Sequence, residues 1–186
     1  MRVRSVAVVS ATLLLVGSVT LAVRAQPIGN VRAPAPIVFV CKNGVSMSVW
    51  SAAYFNRLAA ARGLSERAIA RAAIPSYTAV PLRMVFALAV DGFRLDGYRP
   101  QVVSREDVHD AELVVVIRSS DDTELPPDAR AERRDGEVWQ GFPPMRERYF
   151  PARTALRGRI EALVERLAAK DRASTEIRNR VSSVSV

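Results

Sequence analysis

The sequence predicts an α/β fold, a three-layer sandwich in which a four-stranded parallel sheet carries helices on both faces. Three observations lead to this prediction. Apolar, β-rich runs at residues 37–41 and 112–117 are typical of central strands in a parallel sheet, whose two faces are both covered. Between them, residues 48–62 repeat large apolar side chains at helical spacing, and residues 153–168 form an amphipathic helix. Strands that alternate with helices in this way favour a parallel sheet.

Shorter signals complete the order of elements along the chain. Gly63 is a typical stop for the first helix, and Pro81 suits the first turn of a second. Ser104 with Asp107 three residues later is a capping signal for a third helix. We therefore expect four strands and four helices, the strands at residues 37–41, 67–74, 112–117 and 137–140 and the helices at residues 48–62, 81–89, 104–111 and 153–168.

Large apolar side chains along these elements are expected to form the core. We assign Met84, Phe86 and Leu88 to the buried face of the second helix. The two tryptophans, Trp50 and Trp139, are expected to anchor the packing between layers.

The cysteine and histidine content limits the kinds of site that the chain can build. A length of 186 residues predicts one domain, large enough to bury a core without a metal or a disulfide. Cys41 and His109 are the single residues of their types, which excludes a closed zinc site and an intramolecular disulfide. We expect no metal and no cofactor.

The net charge of +8 is weak evidence for nucleic-acid binding. Three arginines lie within residues 1–25, which contain no acidic residue, so the rest of the chain carries only +5. The basic residues are 25 arginines and 2 lysines, a ratio that indicates a general composition bias. They do not cluster with aromatic residues as a base-stacking groove requires, so we expect no nucleic-acid partner.

Residues 1–25 have the pattern of an export signal. Arg2 and Arg4 precede 19 residues without a charge, and Ala25 is a small residue suited to cleavage. A membrane span needs about 20 apolar residues, and Ser, Thr and Gly interrupt this stretch. A cleaved signal is therefore favoured over an uncleaved membrane anchor. Both predict an exported protein, periplasmic or secreted, and only the anchor predicts contact with a membrane.

Composition divides the remaining chain into three parts. Residues 26–36 contain three prolines and are predicted to form a linker. The predicted strands and helices all fall within residues 37–169, which we take as the domain. Residues 170–186 are rich in serine and lack an apolar period, so they are predicted to form a polar, frayed tail.

The loop after the first strand has the features of an anion-binding cradle. Residues 42–47 are mostly small and lie between a strand and a helix, so that backbone N–H groups converge and the helix N-terminus adds partial positive charge. Cys41 ends the strand, and ligands of parallel sheets bind at such ends. This setting favours a reactive thiolate. In the alternative interpretation Cys41 is a small buried hydrophobic residue.

The sequence resembles the low-molecular-weight protein-tyrosine phosphatase superfamily, in particular its arsenate-reductase-like branch. The first matching segment contains the loop sequence CKNGVSMS at residues 41–48. The resemblance covers about residues 37–168 and rests on the segments Val38–Ser48, Ala52–Gly63, Arg67–Pro75, Asp91–Phe93, Tyr98–Pro100 and Trp139–Pro143 together with the last helix.

The resemblance implies roles for the loop residues. In that family a cysteine thiolate attacks phosphorus, a basic residue of the loop grips the oxyanion, and the next Ser or Thr hydrogen-bonds the thiolate. Cys41 then matches the nucleophile and Ser48 the thiolate-bonding hydroxyl. The substrate-binding loop consists of Lys42, Asn43, Gly44, Val45, Ser46 and Met47.

Two parts of the family's machinery are missing from this sequence. Met47 occupies the position of the basic residue, and no carboxylate lies in residues 139–143, where the family places its acid. A transition-state arginine contributes about 10³–10⁵ in rate to phosphoryl transfer, and a general acid about 10²–10⁴. Residues that act as a unit do not contribute additively, but their joint loss predicts a poor catalyst. Intramolecular disulfide cycling is excluded, because the chain has no second cysteine.

Four charged residues are candidates to compensate for these losses. Lys42 adjoins the nucleophile, and Arg118 ends the strand that would neighbour it. Asp121 and Asp122 follow and could supply a proton. The alternative is that all four are solvated loop charges.

Two hypotheses about function remain open at this point. In the first, the protein is an exported, cysteine-dependent phosphomonoesterase with weak activity. In the second, it is a non-catalytic relative that binds phosphate, a similar oxyanion or a partner through the backbone loop. A phosphorylated substrate is expected only under the first hypothesis.

Overall fold

The structure is a computed structural model that describes residues 35–75, 77–119 and 136–184. The export signal, the linker up to residue 34, Asp121 and Asp122 lie outside the described residues. In the described part of the chain, no helix is long and apolar enough to cross a membrane.

Four parallel strands form the sheet, which confirms the predicted fold class. The strands β1 (Ile37–Cys41), β2 (Ala68–Ala72), β3 (Leu113–Ser119) and β4 (Gly136–Phe142) lie in the order β2-β1-β3-β4. All three pairings are parallel. The four predicted strands therefore all exist, with ends that shift by a few residues.

Within residues 35–75, 77–119 and 136–184, four helices connect and cover the strands, namely α1 (Met47–Ala61), α2 (Leu82–Val90), α3 (Arg105–Asp110) and α4 (Tyr149–Val184). Ser104 caps α3 as predicted and forms a complete capping box with Asp107, whereas Pro81 lies at the N-cap of α2, one residue before the first turn in which it was predicted. The expected end of the last helix near residue 168 is wrong, since α4 continues to Val184. Residues 169–183 are exposed, but no Gly or Pro follows Gly158, so nothing in the local sequence stops the helix.

The two faces of β1 point into different cores. Ile37, Phe39 and Cys41 face the larger core, to which α1, α2 and α4 contribute. The side chains between them, Val38 and Val40, face a smaller core that includes α3. This strict alternation explains why the strand is apolar throughout. Both predicted tryptophan anchors are buried in the larger core.

One prediction about the core is wrong. Met84 and Leu88 are buried, but the side chain of Phe86 is 70% exposed. Residues 84, 86 and 88 share a face only in a strand, where the period is two. In a helix, a residue two positions along lies about 200° around the axis, so Phe86 faces away from the core.

Asp91, at the end of α2, ties three helices together. Its carboxylate accepts hydrogen bonds from Trp50 Nε1 of α1 at 2.6 Å, and from Tyr149 Oη and Arg153 Nη1 of α4 at 2.7 and 2.5 Å. Burial alone would raise the pKa of Asp91, but these three donors outweigh it and hold the pKa below its usual value. The tether fixes α2 and the start of α4 relative to α1, on which the site described below depends.

Candidate functional site

The candidate site lies at the carboxyl end of β1, where the order in which the chain adds strands to the sheet reverses. The chain goes from β1 to β2 on one side and later returns to place β3 on the other side of β1. The carboxyl end of β1 is therefore a topological switch point, the place where open α/β sheets bind ligands. Cys41 is the last residue of β1, and α1 begins only six residues later at Met47.

The Cys41 sulfur contacts the hydroxyl of Ser48. The distance from Cys41 Sγ to Ser48 Oγ is 3.1 Å, and both residues are buried. Ser48 belongs to the first turn of α1, so the hydroxyl that contacts the sulfur is carried by the start of this helix. Either atom of this pair could be the donor, and a hydroxyl that donates to sulfur would stabilise a thiolate.

The loop between β1 and α1 is fastened through its carbonyl groups. The carbonyls of Cys41 and Lys42 accept hydrogen bonds from the N–H groups of Ala73 and Ile74, at 2.9 and 3.1 Å. In a trans peptide the N–H points opposite to the C=O, so the next N–H groups along the loop face the other side. Lys42 and Asn43 line a cavity. The role of this loop as an anion cradle stays a prediction.

Gly44 forms the tightest point of the loop. Its φ is +65°, and a Cβ atom placed on it would lie 2.9 Å from both the Cβ and the backbone N of Ala72. Only glycine combines this backbone conformation with so close an approach. The carbonyl of Gly44 accepts a 2.7 Å hydrogen bond from Tyr98 Oη. Burial, and then the neighbouring Cys41, raise the pKa of Tyr98, which remains a neutral donor.

A cavity of about 270 Å³ opens above the loop. Loop residues, Ser119 at the end of β3, the first turn of α2 and the turn after β4 all contribute to it. Its lining consists of Cys41, Lys42, Asn43, Ser46, Met47, Arg83, Ser119, Pro144, Met145, Arg146 and Glu147. The volume suits a small oxyanion and part of the group attached to it, but not a large cofactor.

The structure brings most of the predicted loop residues to this cavity. Lys42, Asn43, Ser46 and Met47 line it with Cys41, whereas Val45 is fully buried beneath the loop. Met47 is also buried, and its side chain belongs to the larger core.

Of the four candidates for compensation, only Lys42 is shown at the cavity. Arg118 is a partly buried residue within β3 and does not line it, although its neighbour Ser119 does. Successive residues of a strand point to opposite faces, which accounts for the difference. Asp121 and Asp122 lie outside the described residues.

Three charged residues that the sequence analysis missed line the same cavity: Arg83, Arg146 and Glu147. Arg83 is in the first turn of α2, and the other two are in the turn between β4 and α4. The paired prolines at 143 and 144, directly after a predicted strand, were the available signal for a sharp turn back to the sheet edge. Residues 139–143, where the resemblance places the acid, end directly before Pro144, the first residue of this turn that lines the cavity.

No metal site accompanies the cavity in the part of the chain that the structure describes. Within these ranges no three His, Cys, Asp or Glu side chains come together as ligands. His109 is exposed and contacts its neighbour Asp110.

A parallel four-stranded sheet with a cysteine, a cradle-shaped loop and a helix start at its switch point defines a class of phosphate-binding α/β proteins. The family model for low molecular weight phosphotyrosine protein phosphatases matches residues 36–141, more than half of the chain. The chain therefore belongs to this family, as its sequence resemblance implied.

Solved structures of the family share the fold. YwlE from Bacillus subtilis superposes with a TM-score of 0.60 at 19% identity, over 71% of this chain and 97% of that one. A low molecular weight protein tyrosine phosphatase from T. tengcongensis superposes with a TM-score of 0.54 at 20% identity, over 70% of this chain and 98% of that one. An arsenate reductase in the phosphate binding state superposes with a TM-score of 0.57 at 18% identity, over 71% of this chain and 98% of that one. Among curated proteins, none matches this chain.

Proposed function

We propose that this protein binds phosphate monoesters at the loop 41–48 and hydrolyses them slowly, with Cys41 as the nucleophile. The observation that carries this proposal is the contact of 3.1 Å between Cys41 Sγ and Ser48 Oγ at the base of an anion-sized cavity. A cysteine that served only as a core residue would need neither the hydroxyl partner nor the cradle above it.

The proposed reaction has two steps. The Cys41 thiolate attacks phosphorus, an S–P bond forms, and the P–O bond to the leaving group breaks with its electron pair on the leaving oxygen, which takes up a proton. Water then attacks phosphorus and gives up a proton. The S–P bond breaks, phosphate leaves, and the thiolate is regenerated. The Ser48 hydroxyl stabilises the thiolate before the first step and after the second.

Two structural neighbours support an oxyanion at this place in the fold. One is an arsenate reductase in the phosphate binding state, and the other is a cysteine-to-serine mutant of the YwlE arginine phosphatase with a phosphorylated active-site serine. Because their identity to this chain is below 25%, they support the kind of ligand and not a particular substrate.

The second candidate is a non-catalytic protein that binds an oxyanion or a partner through the same loop. Met47 favours it, because a buried thioether at the cavity neither donates a hydrogen bond nor offsets the charge of a transition state. The N–H groups and the helix start would still bind an anion.

Turnover separates the two candidates. We expect the purified wild-type protein to hydrolyse 4-nitrophenyl phosphate slowly, and Cys41→Ser to lose that activity while it keeps the fold, because serine is a poor nucleophile without a general base. A release of nitrophenol that Cys41→Ser retains would contradict the catalytic proposal. Calorimetry with inorganic phosphate then shows whether binding alone remains.

We also propose that the protein is exported. The support is the charge-free stretch between Arg4 and Arg24 and the small residue Ala25. We expect the mature protein to begin at or near residue 26 outside the cytoplasm, which N-terminal sequencing of the native protein checks. A chain that keeps Met1 and is anchored in a membrane would support the anchor instead, and a chain found in the cytoplasm would contradict export.

A further inference from the structure

The cavity contains more positive charge than the loop itself supplies. Lys42, Arg83 and Arg146 line it, and Glu147 is its single carboxylate among the described residues. With Glu147 ionised, these four side chains carry a net charge of plus two, and with Glu147 protonated, as the reaction proposed below requires, they carry plus three. Two of the three cations come from outside the loop, from α2 and from the turn after β4.

Arg146 is a half-buried residue that lines the cavity from the turn after β4. Its Nε is buried, and its guanidinium lies over the ring of Tyr77 at 5.3 Å from the centroid. This packing restricts the orientation of the guanidinium at the cavity. Met145 is fully buried beside it and fixes the turn from which Arg146 extends.

Arg83 reaches the same cavity from α2. Its neighbour Met84 is buried and holds the first turn of this helix against the core, while Arg83 itself is exposed. The Asp91 tether at the other end of α2 fixes the helix relative to α4. The two arginines are therefore held on separate elements that the fold keeps in place around one space.

We propose that Arg83 and Arg146 bind the oxyanion in place of the cation that Met47 lacks, and that Glu147 donates the proton to the leaving group. The inference deepens the proposed function and rests on it. It assigns both missing parts of the reaction to residues outside the loop and defines the ligand as a tetrahedral dianion attached to an oxygen leaving group.

The proton balance of the first step then involves Glu147. The protonated carboxyl gives its proton to the leaving oxygen as the P–O bond breaks and becomes a carboxylate. In the second step this carboxylate accepts the proton that the attacking water releases, which restores the starting state. No other reactant is needed.

The arginines are tested by titration of inorganic phosphate into the full-length protein. We expect Arg83→Gln and Arg146→Gln each to weaken binding about tenfold, and the double variant about a hundredfold, because each removes a charge-assisted hydrogen bond. Arg146→Lys keeps the charge and should recover part of the affinity. Arg172→Gln, an exposed arginine on the far part of α4, is the matched control and should bind as wild type does.

The results separate this inference from the function on which it rests. Wild-type binding that the double variant retains within twofold overturns the role of the arginines and leaves the proposed function intact. A wild type that binds no phosphate at millimolar concentration overturns both. Should Arg146→Gln unfold, as far-UV circular dichroism would show, Arg83→Gln and Arg146→Lys decide the question.

The role of Glu147 is tested by comparing the hydrolysis of two esters whose leaving groups differ in their need for a proton. We expect Glu147→Gln to slow hydrolysis of phenyl phosphate at least tenfold more than that of 4-nitrophenyl phosphate, whose leaving group hardly needs a proton. The same variant should not weaken phosphate binding, since it removes a negative charge. The exposed Glu176→Gln serves as the control. An equal effect on both esters, or a wild type without Cys41-dependent turnover, overturns the role of Glu147, while the titration still decides that of the arginines.

Discussion

Replacing Met47 with arginine is expected to raise the turnover of 4-nitrophenyl phosphate about a hundredfold. An arginine there would lie on the loop that carries the nucleophile, directly before Ser48, and would stabilise charge that develops on the oxyanion. The gain falls below the roughly 10³–10⁵ typical of a transition-state arginine, since Arg83 and Arg146 already place cations at the cavity. Steady-state kinetics of the purified variant measure the effect.

The increase should occur in kcat far more than in phosphate affinity, because the new side chain acts on the transition state. Met47→Gln, which adds a donor without a charge, is the matched control and should gain much less. In the background of Arg146→Gln, Met47→Arg should raise turnover by a larger factor. The reason is that Arg146 then no longer stabilises the charge on which the new arginine acts. A folded Met47→Arg that turns over no faster would favour the non-catalytic candidate.

Replacing Gly44 with alanine is expected to abolish phosphate binding and to lower the free energy of unfolding by about 2–6 kcal/mol. The residue has a φ of +65°, which costs a side chain about 1–3 kcal/mol. The added Cβ would also meet the backbone and Cβ of Ala72 at 2.9 Å, and such overpacking costs about 1–3 kcal/mol more. Denaturant unfolding and phosphate calorimetry measure the two effects.

Gly97→Ala separates the two causes. Gly97 has a similar φ of +71°, but nothing lies within 4 Å of the Cβ that alanine would add. It should therefore show only the backbone cost and should keep phosphate affinity. If Gly44→Ala binds phosphate as wild type does, the loop does not need its close approach to β2, and the cradle geometry argued for residues 42–46 is wrong.

The sheet was predictable because its signals are local. The run at residues 37–41 is apolar at every position because both faces of this strand are buried, and such a run by itself predicts a central strand. The core position of Phe86 was wrong because alternate residues were assigned to one face of a helix. The continuation of α4 beyond residue 168 was missed because a helix can persist without an apolar face where no residue interrupts it.

The site was predictable only as far as it is contiguous in sequence. Cys41, the loop and Ser48 lie within eight residues, and the resemblance to a family identified them together. Arg83, Arg146 and Glu147 reach the same cavity from two other elements, and the only local signal is the proline pair at 143 and 144, which indicates a turn but not the cavity that it reaches. These charged side chains come together because of the way α2 and the turn after β4 pack against the sheet edge. The spacing of residues along the sequence does not predict that packing.

The Asp91 tether has a consequence for the order in which the protein matures during synthesis. A ribosome delivers the cradle residues 41–48 first, and Asp91 and its partner Trp50 soon after. The other two partners, Tyr149 and Arg153, arrive only with the start of α4, and Arg146 and Glu147 shortly before them. Cys41 is therefore synthesised about a hundred residues before Arg146 and Glu147, so the cavity cannot be complete until the turn after β4 has been made.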